Sequence, residues 1–456
     1  TPRWPRRFRY YSLRMSASEL KLGTFSTLSI GIGGMVGGGI FAVTGLTVEL
    51  TKGAAPIAFV IAGVVALLTS YSYLKLTLRY PSEGGTVAFL NQAFGGGWLT
   101  GSANILLLLS YVVLLAVYAY AFGSYGSSFF PEESRKLWLH VLISGVIVFL
   151  VVINVLGTQL VIRSENLFNL VKMILLAVFV VVGLCTPMEW SRLAPSEYVS
   201  PVALIAGSML IFLNYEGFEL IANASKDVAD PKRSLPIAYV GGVLLVMVFY
   251  VLIAGVVVGH LSFEQVAASR DYALSVAAQS FMGRLGYVGI AIAALLATSS
   301  AINATFYSTG RLTYIIAKSG ELPRELERTL RGEHLEGTLI TAAAALVIAN
   351  AIPLDAIATM GSAGFLLIFM AVNLANVRLA KETESRAWLS ALAALSAFGA
   401  LLILCVQVGS KPDTRSQLWI LAGMIVVSGL LEFIYRTVSG RHIRVAAGPA
   451  SDSTSD

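Results

Sequence analysis

Apolar runs separated by short polar links recur along the whole chain, near residues 24–48, 54–77, 98–124, 137–156, 165–185, 201–222, 236–259, 286–317, 338–352, 356–377, 387–408 and 416–436. At about 1.5 Å per residue most are long enough as helices to cross a hydrocarbon core of roughly 30 Å. The pattern predicts an all-α integral membrane protein with twelve transmembrane helices. Two links carry structure of their own. Residues 78–97 are rich in turn formers yet keep apolar members, which predicts a short helix packed under the bundle, and residues 260–285 read as an amphipathic segment.

The first run is interrupted by six glycines, Gly31, Gly33, Gly34, Gly37, Gly38 and Gly39. Each interior Gly costs roughly 1 kcal/mol relative to Ala in a helix, so the centre of this span should unwind. Unwound backbone at that depth survives only where it lines a protein cavity. A second half-helix starting near Gly39 and Ile40 then aims free N–H groups into the gap, a setting suited to a carboxylate. The competing explanation is close helix packing of small-xxx-small type. The sixth run is irregular too, with Asn214, Tyr215, Glu216, Gly217 and Glu219 set into apolar sequence. Spans 1 and 6 are five apart, so two five-helix copies of opposite orientation would bring both breaks to one interface near the midplane.

Composition agrees with a bilayer environment: 56% of residues are apolar and 13% charged, against about 25% charged in a soluble domain. The net charge of +6 could suggest nucleic acid, but placement argues otherwise. With twelve spans and both ends on one side, 23 of the 32 Lys and Arg fall on that side, 8 on the other, and Lys172 inside. The positive-inside rule makes that side cytoplasmic, so the basic residues report topology and no nucleic-acid partner is expected. The basic, polar N-terminus has no cleavable signal pattern. Cys185 and Cys405 are far apart and lack metal-ligand spacing, so neither a disulfide framework nor a metal site is predicted.

Three ionisable residues stand where charge is costly. Lys172 lies nine residues past Arg163, about 14 Å along a helix and mid-membrane. Burying its ammonium costs about 2.5–3.5 kcal/mol, a cost that releasing the proton removes, so this amine is suited to couple proton movement to another event. A permanent ion pair is the alternative. Glu216, ten residues before Lys226, is equally deep, beside a Gly that lets the backbone open. It could receive a substrate ammonium, titrate, pair with Lys172, or be a neutral group fixing the broken helix. Glu219, one turn nearer the cytoplasm, reads as structural. Thr298, Ser299 and Ser300 in span 8 could bond back to their own helix or join a cation site. His140, His260, His334 and His442 are scattered, and no hydrolytic or nucleotide-binding motif occurs.

Four stretches in order, SIGIGGMVGGGIFAVTG at 29–45, RYPSEGG at 79–85, NYEGFELIANASKDVADPKRSLPIA at 214–238 and ATSSAINATFYSTGRLTYIIAKSGELP at 297–323, resemble the amino acid-polyamine-organocation transporters over nearly the whole chain. The resemblance implies a LeuT-like five-plus-five inverted repeat with helices 1 and 6 discontinuous. The first repeat would span 24–185 and the second 201–377, followed by helices 11 and 12 over 387–436, with cytoplasmic tails 1–23 and 437–456. It also implies a substrate site in which N–H groups around Gly37, Gly38 and Gly39 hold the amino acid carboxylate. Carbonyls near Ser29 and Ile30 and around Phe212 and Leu213 would hold the ammonium, with Asn214, Tyr215 and Glu216 alongside. Lys172 resembles a helix 5 lysine that stands where LeuT-like relatives bind sodium, reaching carbonyls of Gly31 to Gly34 and a hydroxyl of Ser299 or Ser300. Glu216 departs from the uncharged residue of many relatives.

The expected activity is import of a zwitterionic amino acid coupled to protons, in the plasma membrane, by a monomer or weak homodimer without cofactor. The alternatives are an exchanger, or a cationic amino acid carrier in which Glu216 selects the side chain. A non-transporting sensor or partner-dependent subunit is the competing class.

Overall fold

Residues with the apolar face of a bilayer helix fold as such. The computed structural model describes residues 21–156, 159–323, 326 and 335–439, and regular structure among them is helical apart from two isolated bridges, Leu22 with Val228 and Lys52 with Tyr198. Helices α1 (Thr24–Met35) and α2 (Gly39–Thr51) are bent by 48° at a three-residue break. Then come α3 (Ala55–Arg79), the link helix α4 (Gly85–Phe94), α5 (Trp98–Ser127), α6 (Glu132–Leu156) and α7 (Gln159–Cys185). A second broken element follows, α8 (Pro201–Leu210) leading through a 3₁₀ turn into the short α9 (Leu220–Asn223), with a bend of 47°. The chain continues through α10 (Pro231–Pro236), α11 (Gly242–His260), α12 (Phe263–Ala268), α13 (Ala273–Lys318), α14 (Leu335–Ala351), α15 (Leu354–Arg378), α16 (Ala387–Ser410) and α17 (Ser416–Ser439). Nine described helices are long and apolar enough to cross a membrane, or up to eleven if each bent pair is one span, and α14 is a shorter apolar helix.

Several boundaries move for local reasons. The fourth run, expected from 137, begins at Glu132, because Pro131 precedes it and Glu132 and Glu133 favour a helix N-terminus. The seventh begins at Pro231, where the Asp230 carboxylate accepts from Arg233 N–H at 3.2 Å. It passes Pro236 through a π turn at Ile237–Gly241. The eighth reaches back to Ala273, so the last part of the predicted amphipathic link joins it across a kink at Gly283 (φ 64°). The tails 1–20 and 440–456 lie outside the described residues.

Helices α5 and α15 are buried on most sides and form the centre. At the periphery α6 and α17 expose Leu137, Val148, Phe149, Trp419, Val426 and Phe433. A contiguous apolar surface of this kind is covered by lipid rather than water. A central group of aromatic rings supports the second break: Phe218 meets Tyr73 edge-on at 5.4 Å and Phe369 at 5.2 Å, and Phe212 meets Phe369 at 5.7 Å.

Candidate functional site

The first break is uncapped. Helix α1 ends with Val36 N–H on Ile32 O at 2.7 Å, and no side chain caps α2 at Gly38. The first N–H groups of α2 therefore have no intrahelical partner and carry the positive end of its dipole. Gly38 is needed here, since a Cβ would stand 2.6 Å from Tyr118 Cδ1 and 2.9 Å from Thr298 Cγ2. The Tyr118 ring thus lies directly on the turn that opens α2.

The second break is held by groups from distant helices. After Leu210 the backbone makes a 3₁₀ turn over Phe212–Tyr215, runs extended at Glu216 (φ −60°, ψ 142°), and turns at Gly217 (φ 120°). Ser362 of α15 replaces part of the lost helix bonding: its hydroxyl donates to Leu210 O at 2.7 Å and accepts from Leu213 N–H at 3.2 Å. Glu219 fastens the other side, accepting from Gly217 N–H at 2.7 Å and from Tyr111 O–H at 2.9 Å. The two breaks meet where Gly34 faces Gly217, and the Tyr250 hydroxyl lies 2.6 Å from Met35 O and 3.1 Å from Asn214 O, joining them.

Lys172 sits on the inward face of α7 and is 1% exposed, whereas Leu170, Ile174 and Val181 of the same helix are exposed. Its Nζ donates to Gly33 O at 3.4 Å, at the first break, and Asn169 one turn earlier also faces Gly33. The Ser299 and Thr298 hydroxyls each donate 2.7 Å back into their own helix, to Leu295 O and Ala294 O, and Ser300 is buried nearby in α13. The Arg163 side chain, from which the depth of Lys172 was counted, lies outside the described residues.

Of the residues singled out from sequence, the structure gathers Gly34, Gly37, Gly38, Gly39, Asn214 and Glu216 around the paired breaks. Gly31 packs on Ile221 instead, Ile30 is half-buried, and Ser29 is exposed. Phe212 and Leu213 are buried in the 3₁₀ turn, while the Tyr215 hydroxyl turns away to donate to Phe59 O at 2.6 Å. Four buried polar atoms here take no hydrogen bond: Oδ1 and Nδ2 of Asn214 and both carboxylate oxygens of Glu216. Tyr250, Ser362, Tyr111 and Tyr118 were not foreseen. The one signal available was a hydroxyl within an otherwise apolar run, as in VMVFYVLIAG around Tyr250.

Among the described residues no group of three or more His, Cys, Asp and Glu could hold a metal. His140 pairs with Asn350 and His260 with Thr186, both at 2.9 Å, in places remote from the breaks, and His334 and His442 lie outside the described residues.

Residues 22–430 match the family model described as amino acid permease. An uncharacterized protein of Methanocaldococcus jannaschii is 33% identical over 428 residues, 94% of this chain and 98% of its own. The inner membrane transport protein YbaT of Escherichia coli is 30% identical over 411 residues, 89% of this chain and 94% of its own. The methylthioribose transporter of Bacillus subtilis is 24% identical over 385 residues, 79% of this chain and 81% of its own. The match over most of the chain, in a bundle of apolar helices, shows that this multi-pass membrane protein belongs to the amino acid permease family, whose members are transporters and not enzymes.

Proposed function

We propose that the chain imports amino acids by alternating access, with proton movement coupled through Lys172. In this reading twelve spans form two inverted five-helix halves, residues 24–185 and 201–377, followed by 387–436. Both termini are cytoplasmic and the protein resides in the cell membrane. The substrate carboxylate binds the N–H groups that open α2 at Gly37–Gly39, and its ammonium binds carbonyls exposed by the two breaks. The observation that carries the proposal is the buried Lys172 amine directed at Gly33 O, beside the interrupted first helix. When protonated, Lys172 attracts the carbonyls of α1 and ties α7 to the break. When neutral it loses most of that attraction. Only an interaction that differs between two states shifts their balance, and the charge on this amine supplies such a difference. Uptake of amino acids by sodium-free proteoliposomes under an inwardly directed pH gradient tests the reading. Accumulation that depends on the gradient supports it; accumulation that needs sodium, or none for any amino acid, removes it.

A further inference from the structure

Glu219 and Glu216 are three residues apart on the same broken element and both are buried, yet they are treated differently. Glu219 is satisfied by a backbone N–H and a tyrosine hydroxyl and so belongs to the scaffold. Glu216 is 1% exposed and neither of its oxygens has a hydrogen-bond partner. A buried carboxylate with a structural task is normally hydrogen-bonded, because leaving it bare costs several kcal/mol. Two residues earlier, the Asn214 amide is 1% exposed with both polar atoms unpartnered, and its Oδ1 stands against Gly39, the first residue of α2. One ligand could complete all of these groups.

We infer that Glu216 is the specificity-determining residue of the site and that the solute it selects is a cationic amino acid, with a guanidinium side chain preferred. The inference rests on the transport reading above and names its substrate class. The free N–H groups of α2 and the Asn214 amide suit a carboxylate at one end of the solute. Two bare carboxylate oxygens suit a group with two parallel N–H donors at the other, which a guanidinium presents as a planar fork and an ammonium only as a point charge. The Tyr118 ring lies against Gly38, which sets an aromatic group beside the helix start that would receive the carboxylate.

The test is competition for uptake into proteoliposomes by arginine, by citrulline, its uncharged isostere, and by agmatine, which keeps the guanidinium but lacks the carboxylate. Wild type should prefer arginine over citrulline by about tenfold or more, the scale of 1.4 kcal/mol of differential binding, and agmatine should compete more weakly than arginine. Glu216→Gln should bring the arginine to citrulline ratio near one, and Glu216→Asp should keep arginine ahead. A wild type that accepts citrulline or alanine as well as arginine overturns the inference while leaving transport intact, and so does a folded Glu216→Gln protein with its preference unchanged. A wild type without the arginine preference overturns the inference whatever the variants do, and should Glu216→Gln fail to insert, Glu216→Ala takes its place, with an unchanged arginine preference in that variant overturning the role of Glu216. Vesicles that take up no amino acid at all overturn the transport reading and this inference with it.

Discussion

Gly34 and Gly217 face each other backbone to backbone: a Cβ on Gly34 would stand 2.8 Å from the Gly217 Cα and 3.0 Å from its carbonyl oxygen, and a Cβ on Gly217 would press into the Gly34 carbonyl still more closely. Their contact brings the two interrupted elements together, which neither break could achieve alone.

Gly217→Ala should therefore be among the most damaging small substitutions in the chain. It adds an atom against a main chain that cannot rotate away, at a residue with φ of 120°. A loss of about 3 kcal/mol or more and of uptake is expected. Gly255→Ala, in α11 with open space around it, is the control and should be neutral or stabilising by up to about 1 kcal/mol. Thermal unfolding of the purified variants, read beside uptake, checks both; equal stability of the two variants would mean that the breaks do not touch.

Tyr250→Phe should cost about 1–3 kcal/mol, because it removes the hydroxyl shared by Met35 O and Asn214 O and leaves a buried carbonyl unpaired. Uptake should fall more than stability accounts for, since the hydroxyl joins the two halves of the site. The check is uptake measured at a temperature where wild type and variant are equally folded.

Much of the fold was legible because the signals were local. Apolar length announced the spans, and the six clustered glycines coincide with the first bend, whereas the helix start at Pro231 lies about five residues before the boundary expected at 236. Glu219 also read correctly as structural, since a carboxylate beside a helix opening finds backbone N–H groups. The partners of the breaks were not legible, because they come from far along the chain. Ser362 is 149 residues from Leu213 and the Tyr250 hydroxyl is 215 residues from Met35, so only folding reveals the pairing. The direction of the Tyr215 side chain was not legible either: its hydroxyl donates to Phe59 O. Periodicity does not encode that choice.

Beyond the end of α13, buried Glu321 gives a pH-dependent prediction. Asn104 Nδ2 lies 2.9 and 3.0 Å from its two oxygens, with Asn91 beside them. Glu432 and Arg436, paired with each other at 2.7 Å, are the charged groups that face it. Burial pushes this carboxyl up from 4.5 to about 7, so the folded protein holds the proton more tightly than the unfolded chain. Stability should consequently fall as pH rises from about 4.5 through about 7 and then level off. Each tenfold difference in proton affinity is worth about 1.4 kcal/mol, which puts the total at a few kcal/mol. Glu321→Gln should match wild type near pH 4.5 and exceed it at pH 8, as read from melting temperatures across pH; a variant less stable than wild type at pH 8 would show that the ionised carboxylate is needed.

Proton movement itself is the most direct test of the role given to Lys172. In sodium-free proteoliposomes loaded with a pH-sensitive dye, with no pH gradient imposed, adding a transported amino acid outside should acidify the lumen for wild type and leave it unchanged for Lys172→Ala, with equal amounts of both proteins inserted. Substrate entry without lumenal acidification in wild type, or equal acidification in the variant, would contradict the account.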